Sequence, residues 1–399
     1  MPIPTRAIDE TALLLGRQDW SFPVPIAYGP GRLREIADMC RAAGIHKPLI
    51  VTDRGSRDLP FIARLEGLLR AAGLRAALFC AISPNPRDDE IAAGCDAYRS
   101  GGHDGIIGIG GGSGMDGAKA ICLTAQTGLD LWDFEFEQTP PDLGGDQRIP
   151  PMIAIPTTAG TGAETEGTAM VTHTGKGMKL CVWHPGFRPV QALLDPELTV
   201  DLPPHLTAWT GADALTHAIE AYIVADFHPL CDGAALEALR LVARWLPVAV
   251  AEPDNIAARG GMLVGSCLAG IAFLKGLGMV HAISHMIGAE YDTQHGLTNA
   301  VLLPAVLREN LPVLGGKTAH MAHAMGLDDH TPEALARAID ALLDRMDIPR
   351  GLADLGVADD CAARIAIKAM QDSAAGTDPG NWNAQRAEAL INRAMTAAR

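Results

Sequence analysis

Five side chains of metal-ligand type fall within apolar sequence in the second half of the chain: Asp213, His217, His281, His285 and His295. Asp213 and His217 are four residues apart in a helical pattern, which puts both on one face, one turn apart. His281 and His285 repeat that spacing. His295 follows in Gln294-His295-Gly296, where the glycine permits close backbone approach. A single Asp–His pair reads most simply as an acid near a helix N-terminus beside an unrelated histidine. Five such groups in apolar surroundings are costly unless paired or bound to a cation, and together they read as a metal site. Four ligands suffice for a tetrahedral ion, leaving one group for proton transfer. Spacing does not choose between His281 and His285 as a ligand. Nor does it choose between zinc and ferrous iron, because imidazole and carboxylate suit both.

A second constellation lies in the first half. Gly108-Ile109-Gly110-Gly111-Gly112-Ser113 follows a strand pattern and opens a helix. Glycines there let backbone N–H groups close on a phosphate, and the helix N-terminus adds favourable partial charge. The run matches neither GxGxxG nor a P-loop. Asp53 ends an earlier strand, where a carboxylate can hold a ribose diol or simply cap a helix. Thr157, Thr158, Gly160 and Thr161 form a hydroxyl-rich loop after another strand, a second wall for the same cleft.

Elements that could position these groups follow from periodicity. Buried-strand runs at Leu49–Val51, Ala76–Phe79, Ile106–Ile109 and Met152–Ile155 alternate with helical segments at Arg32–Ala43, Phe61–Ala72, Asp88–Ser100 and Ser113–Thr127. Such alternation means parallel strands joined by right-handed crossovers, with ligands at the strand carboxyl ends. Thr168–Leu194 reads as a hairpin closing this part. From about Pro203 helical periodicity takes over, at Ala208–Val224, Cys231–Val248, Ala257–Leu274, Met279–Ala289, Thr298–Glu309, Pro332–Arg345 and Asp360–Met370. The expectation is an α/β fold: a Rossmann-like parallel-sheet domain over residues 1–200, then an all-helical domain over residues 201–399.

The net charge is −15 and no Lys/Arg cluster forms a phosphate-tracking face, which argues against nucleic acid. The apolar stretch Met262–Val280 is glycine-rich and broken by Lys275, a buried helix pair and not a membrane span. Residues 1–30 carry charges and no long apolar core, so a signal peptide is not expected. The eight cysteines show no CxxC pair; reduced thiols in a cytoplasmic setting are expected, and a zinc–thiolate site is excluded on spacing. Phe22–Tyr28 reads as an exposed strand that could pair across a dimer or serve as an ordinary edge.

Three motifs, taken with Asp213-Ala-Leu-Thr-His217-Ala-Ile-Glu220, resemble those of the iron-containing alcohol dehydrogenase family. They are Gly110-Gly-Gly-Ser113 with Asp116 and Lys119, then Pro156-Thr-Thr-Ala-Gly-Thr161, then Gly278-Met-Val-His281-Ala-Ile-Ser-His285 continuing to His295-Gly-Leu-Thr-Asn-Ala300 and Leu302-Leu-Pro304. The resemblance implies reversible hydride transfer between NAD(H) and a small alcohol or aldehyde, in a cleft between the two domains, with a homodimer or higher homo-oligomer. It implies Asp213, His217, His281 and His295 as ligands of Fe2+, with Zn2+ also compatible, and leaves His285 as a proton relay. The cofactor positions it implies are Asp53, Asn85, Gly111, Gly112, Ser113, Thr157, Thr158, Thr161 and Lys179, with Asp53 matching the acidic position associated with NAD. Gln294 stands where many members have Pro, and Cys181-Val-Trp-His-Pro-Gly-Phe187 is less typical; both leave the substrate open. Two other readings are a dehydroquinate-synthase-like lyase, which needs basic residues near the metal, and a non-catalytic metal- or nucleotide-binding protein.

Overall fold

A computed structural model describes residues 15–396 except 17, 22 and 145–147. The first half builds a sheet from β1 (Gln18–Ser21), β2 (Pro25–Tyr28), β3 (Pro48–Asp53), β4 (Ala77–Ile82), β5 (Gly105–Gly110), β6 (Met152–Pro156) and β9 (Gln191–Leu194). Its order is β1-β2-β9-β6-β5-β3-β4, parallel throughout except for the β1–β2 pair. The helices α1 (Ile36–Ala42), α2 (Pro60–Ala71), α3 (Asp88–Gly101) and α4 (Gly112–Ala125) make the crossovers. Two apolar clusters, one on each face, bury the sheet, so β5 is buried at every residue. That is why its sequence runs apolar with no alternation.

The chain moves outward from β3 to β4, then returns to place β5 on the other side of β3. Strand order therefore reverses between β3 and β5, and the crevice beyond their carboxyl ends is where such sheets bind ligands. Asp53 ends one of these strands and the glycine run ends the other.

Two readings change in detail. The strand expected over Phe22–Tyr28 is resolved as β2 at Pro25–Tyr28, with Phe22 outside the described residues. It is an interior strand, because β1 takes the edge beside it. The Thr168–Leu194 stretch does contain a hairpin, β7 (Thr168–His173) with β8 (Met178–Trp183), but its end is β9 of the main sheet. Buried Asp195, just after β9, accepts N–H bonds from Gly31 and Leu33, both at 2.9 Å, and so ties β9 to the turn after β2.

The second half is helical: α5 (Pro204–Ile223), α6 (Pro229–Ala251), α7 (Ile256–Ala272), α8 (Met279–Tyr291), α9 (His295–Leu314), α10 (Lys317–Ala324), α11 (Pro332–Arg345), α12 (Ala362–Ala369) and α13 (Ala384–Ala394). Helices α10 and α13 were not anticipated. Among the described residues, Ile256–Lys275 alone is long and apolar enough to cross a membrane, yet 78% of that window is buried inside the protein. It is a core helix. Lys317 donates to the carbonyls of Tyr222, Ile223 and Val224 at 2.6–3.2 Å, which gives the C-terminal end of α5 a cation where the helix dipole favours one.

Candidate active site

The helical half brings the ligand-type residues to one point. Asp213 and His217 share a face of α5, His281 lies in the first turn of α8, and His295 is the first residue of α9. Close packing of α9 on α5 needs Gly296, since a Cβ there would lie 2.3 Å from the Trp209 carbonyl oxygen. The Nε2 atoms of His217, His281 and His295 lie 3.9, 3.7 and 3.7 Å from Asp213 Oδ1. One ligand atom from each of the four residues lies within 4.8 Å of every other. His285 is not in this set. The structure thus separates the two α8 histidines, which spacing left equivalent.

The surrounding hydrogen bonds orient the donors. His281 Nδ1–H donates to Glu220 Oε2 at 2.6 Å, which turns its Nε2 toward Asp213. Burial is outweighed by Asp213 and Glu220, which raise this imidazole to about 9, so a cation binding there displaces a proton. The same carboxylate accepts the backbone N–H groups of Gly278 and Val280, so Glu220 caps α8 while it fixes the ring. His217 Nδ1 bonds the Gly160 carbonyl at 3.4 Å, which again turns Nε2 inward. Bonds of this kind fix the tautomer and direction of a metal-binding imidazole. Burial opposes ionisation of Asp213, but the three imidazoles outweigh it and hold its carboxyl well below the usual range. Burial pushes His217 down to about 4 and His295 well below its ordinary value, so both rings are neutral and free to ligate. Three inward Nε2 atoms and a carboxylate suit a divalent ion, zinc or ferrous iron.

Gln294, the departure from the family's proline, has a local role. Its side-chain oxygen accepts the Leu297 N–H at 2.6 Å and caps α9 directly before His295.

Across the same cavity, of about 890 Å³, lie Asp53, Gly111, Gly112, Ser113, Thr157, Thr158, Thr161 and Lys179. The N-cap of α4 is Gly111, with no side-chain cap, so the N–H groups of its first turn are available to an anion. A Cβ at Gly112 would fall 2.5 Å from Thr161 Cγ2; the glycine turn and the threonine loop touch because no side chain intervenes. Asp53 is held by the N–H and hydroxyl of Ser56 at 3.0 and 2.8 Å. This cradle could hold a dinucleotide: the uncapped start of α4 offers N–H groups to a pyrophosphate, and Asp53 offers a carboxylate to a diol. Asn85 stands apart from the others. It is buried behind the wall, accepting from Lys179 Nζ at 3.3 Å and donating to Asp292 at 3.0 Å.

Strand alternation explains why Lys179, Cys181 and Trp183 of β8 all face the cavity. His184 also lines it, but its ring nitrogens are used by the Pro141 carbonyl and the Gly186 N–H. All eight cysteines are free thiols. Lys119 is buried against the Thr168 carbonyl and Glu166, where it supports β7.

Asp372 was not identified in the sequence. It accepts His285 Nδ1–H at 2.8 Å, both groups buried, while the His285 ring stacks on His295 with centroids 5.4 Å apart. The pair is separated by 87 residues, and no spacing rule connects them. Glu220 was within reach of such a rule, at i+3 from His217 on α5.

Glu164, buried at the loop after β6, has its carboxyl pushed from 4.5 up to about 7 by burial. Its contribution to stability is fully present below about pH 4.5 and is lost as pH rises through about 7. In urea melts of metal-free protein, Glu164→Gln is expected to flatten the fall in stability between about pH 5 and 8. An unchanged slope would contradict a carboxyl protonated in the fold.

Comparison with known proteins bears on the whole site. A profile of "Iron-containing alcohol dehydrogenase" matches residues 23–196, and one of the "Fe-containing alcohol dehydrogenase family, C-terminal" matches 207–395. The chain belongs to the iron-containing alcohol dehydrogenase family. Its relatives include the NAD-dependent methanol dehydrogenase of Bacillus methanolicus, 35% identical over 94% of this chain and 99% of the relative. Another is the 1,3-propanediol dehydrogenase of Klebsiella pneumoniae, 37% identical over 94% and 98%. A crystal structure of a 1,3-propanediol oxidoreductase superposes with a TM-score of 0.87 at 36% identity, covering 96% of this chain and all of that one. In this dehydrogenase the Asp/His quartet is a group that could hold a metal ion, and the glycine–threonine cradle lines the same cavity.

Proposed function

We propose that this iron-containing alcohol dehydrogenase moves a hydride reversibly between NAD(H) and a small primary alcohol or aldehyde. One observation carries the reading: the metal quartet and the dinucleotide cradle line a single continuous cavity, so the two sites adjoin. Asp213, His217, His281 and His295 would hold Fe2+, or Zn2+. Asp53, Gly111, Gly112, Ser113, Thr157, Thr158, Thr161 and Lys179 would hold NAD, with Asn85 acting through Lys179. When bound, the ion supplies Lewis acidity toward an alcohol oxygen, and the nicotinamide supplies the hydride acceptor.

The chain's own residues do the rest. His285, with Nδ1–H committed to Asp372, has Nε2 left to take and return the hydroxyl proton. Phe273, Leu274, Leu277 and Ala374 give the cavity an apolar wall beside the quartet, which excludes water and suits a short uncharged substrate. Of the lysines lining the cavity, Lys275 is ion-paired with Asp232 at 2.5 Å, and burial lowers the pKa of Lys179, which disfavours its cation. That supports an uncharged alcohol over the phosphorylated substrate of a lyase.

Residues 1–200 would then serve as the cofactor domain and 201–399 as the metal domain, in a cytoplasmic homo-oligomer. Light scattering showing a monomer at working concentration would remove the last element.

The test is an NADH-coupled screen of small alcohols, diols and aldehydes with Fe(II)- and Zn(II)-loaded protein. NADH formation from at least one simple alcohol is expected. Metal-loaded protein that binds NAD yet reduces it with none of them would overturn the reading.

A further inference from the structure

Asn299 lies four residues after His295 on α9 and is fully buried. Its Nδ2 lies 2.7 Å from Asp213 Oδ1, 3.0 Å from His281 Nε2 and 3.2 Å from His295 Nε2. One amide group therefore touches three of the four ligand atoms, each from a different helix. Its Oδ1 is buried too, and has no hydrogen-bond partner among the described residues.

That orphan oxygen settles which end of the amide does the work. A buried carbonyl without a donor is destabilising, and the contacts of the NH2 side are what offset it. Reversing the amide would bring an oxygen 2.7 Å from the Asp213 carboxylate oxygen, an acceptor against an acceptor. Asp213 Oδ1 is a carboxylate oxygen, which accepts, and in the form that ligates a cation the two imidazole Nε2 atoms at 3.0 and 3.2 Å present a lone pair and no N–H. An N–H donor is the group that this pocket selects.

We propose that Asn299 is a positioning residue for the metal ligands, holding the Asp213 carboxylate in its ligating direction and keeping α5, α8 and α9 in register around the site. This rests on the assignment of the quartet as a metal site. An oxygen that accepts from Asn299 keeps a second lone pair for the ion, so the bond to Asp213 persists on loading. The imidazole Nε2 atoms have one lone pair each, and the ion takes both from the amide. Asn299 thus shifts from three contacts to one, and its work in the loaded protein is to fix Asp213.

The experiment is chelator-competition measurement of the dissociation constants for Zn2+ and Fe2+ in wild type, Asn299→Leu and Asn299→Ala, with the melting of each metal-free protein recorded beside it. Leu keeps the branched shape and removes the donor; it is expected to weaken the metal 10- to 100-fold, roughly the range for lost supporting bonds around a site. Ala leaves room for a water that can donate to Asp213, and is expected to weaken it less than Leu. Either folded variant binding with wild-type affinity would overturn the proposal; should Leu not fold, Ala alone decides. Wild type that binds no more tightly than His217→Ala would instead overturn the metal site itself, a distinct outcome.

Discussion

His217→Ala protein is expected to lose its bound metal and its turnover together, with kcat/KM down by about a thousandfold or more. The physical basis is the donor set: removing one of four converging ligands leaves Asp213 and two imidazoles, held on three crossing helices at a spacing set for a fourth donor, and so weakens the hold on the ion. Lewis-acid activation of an alcohol contributes several kcal/mol, and each ~1.4 kcal/mol is a factor of ten in rate. The loss should be specific. The dinucleotide cradle belongs to other elements, so NADH binding measured by fluorescence should remain. His217 packs against Phe273 and stacks on His281, at 4.9 and 4.5 Å between centroids, so the metal-free variant should also melt somewhat lower. Wild-type activity in a variant that elemental analysis shows to be metal-free would sink the assignment.

The second large effect is expected at His285. His285→Phe keeps the stack on His295 but removes the proton-transferring nitrogen, and kcat should fall by roughly 10²–10⁴. Metal content should be unchanged, since His285 stands outside the quartet. Asp372→Asn is the sharper probe. An amide in that place offers the imidazole a donor as readily as an acceptor, so it no longer enforces the proton on Nδ1. Its kcat should fall while KM stays near wild type, and the double variant should be little worse than the worse single, as for groups acting as a unit. Full kcat in both single variants would show that the proton leaves by another route.

Glu220 and Asp372 illustrate two grades of legibility. Glu220 shares the α5 face with His217, so helix spacing alone made it available. Its role was not, because its partners His281, Gly278 and Val280 come from a segment about sixty residues later. Asp372 had no local signal at all. Asn85 shows the converse: a position implied for the cofactor turns out to lie behind Lys179, a difference of depth that no pattern in one dimension records.

The metal residues were visible as types and spacings because an α-helix fixes the relation of i to i+4 by its own geometry. The parallel sheet was visible for a similar reason, since a strand covered on both faces must run apolar. The glycine run, too, declared a close backbone approach before any fold was known. What residue spacing by itself left undecided was the choice between His281 and His285, one turn apart on α8, for which the family resemblance named His281 without a physical reason. Packing decided it: Glu220 from α5 meets the first ring and Asp372 from the chain's end meets the second, so one faces Asp213 and the other stands free. Local hydrogen-bond geometry sets which side chains share a face. Only the crossing of helices far apart in the chain sets what that face meets.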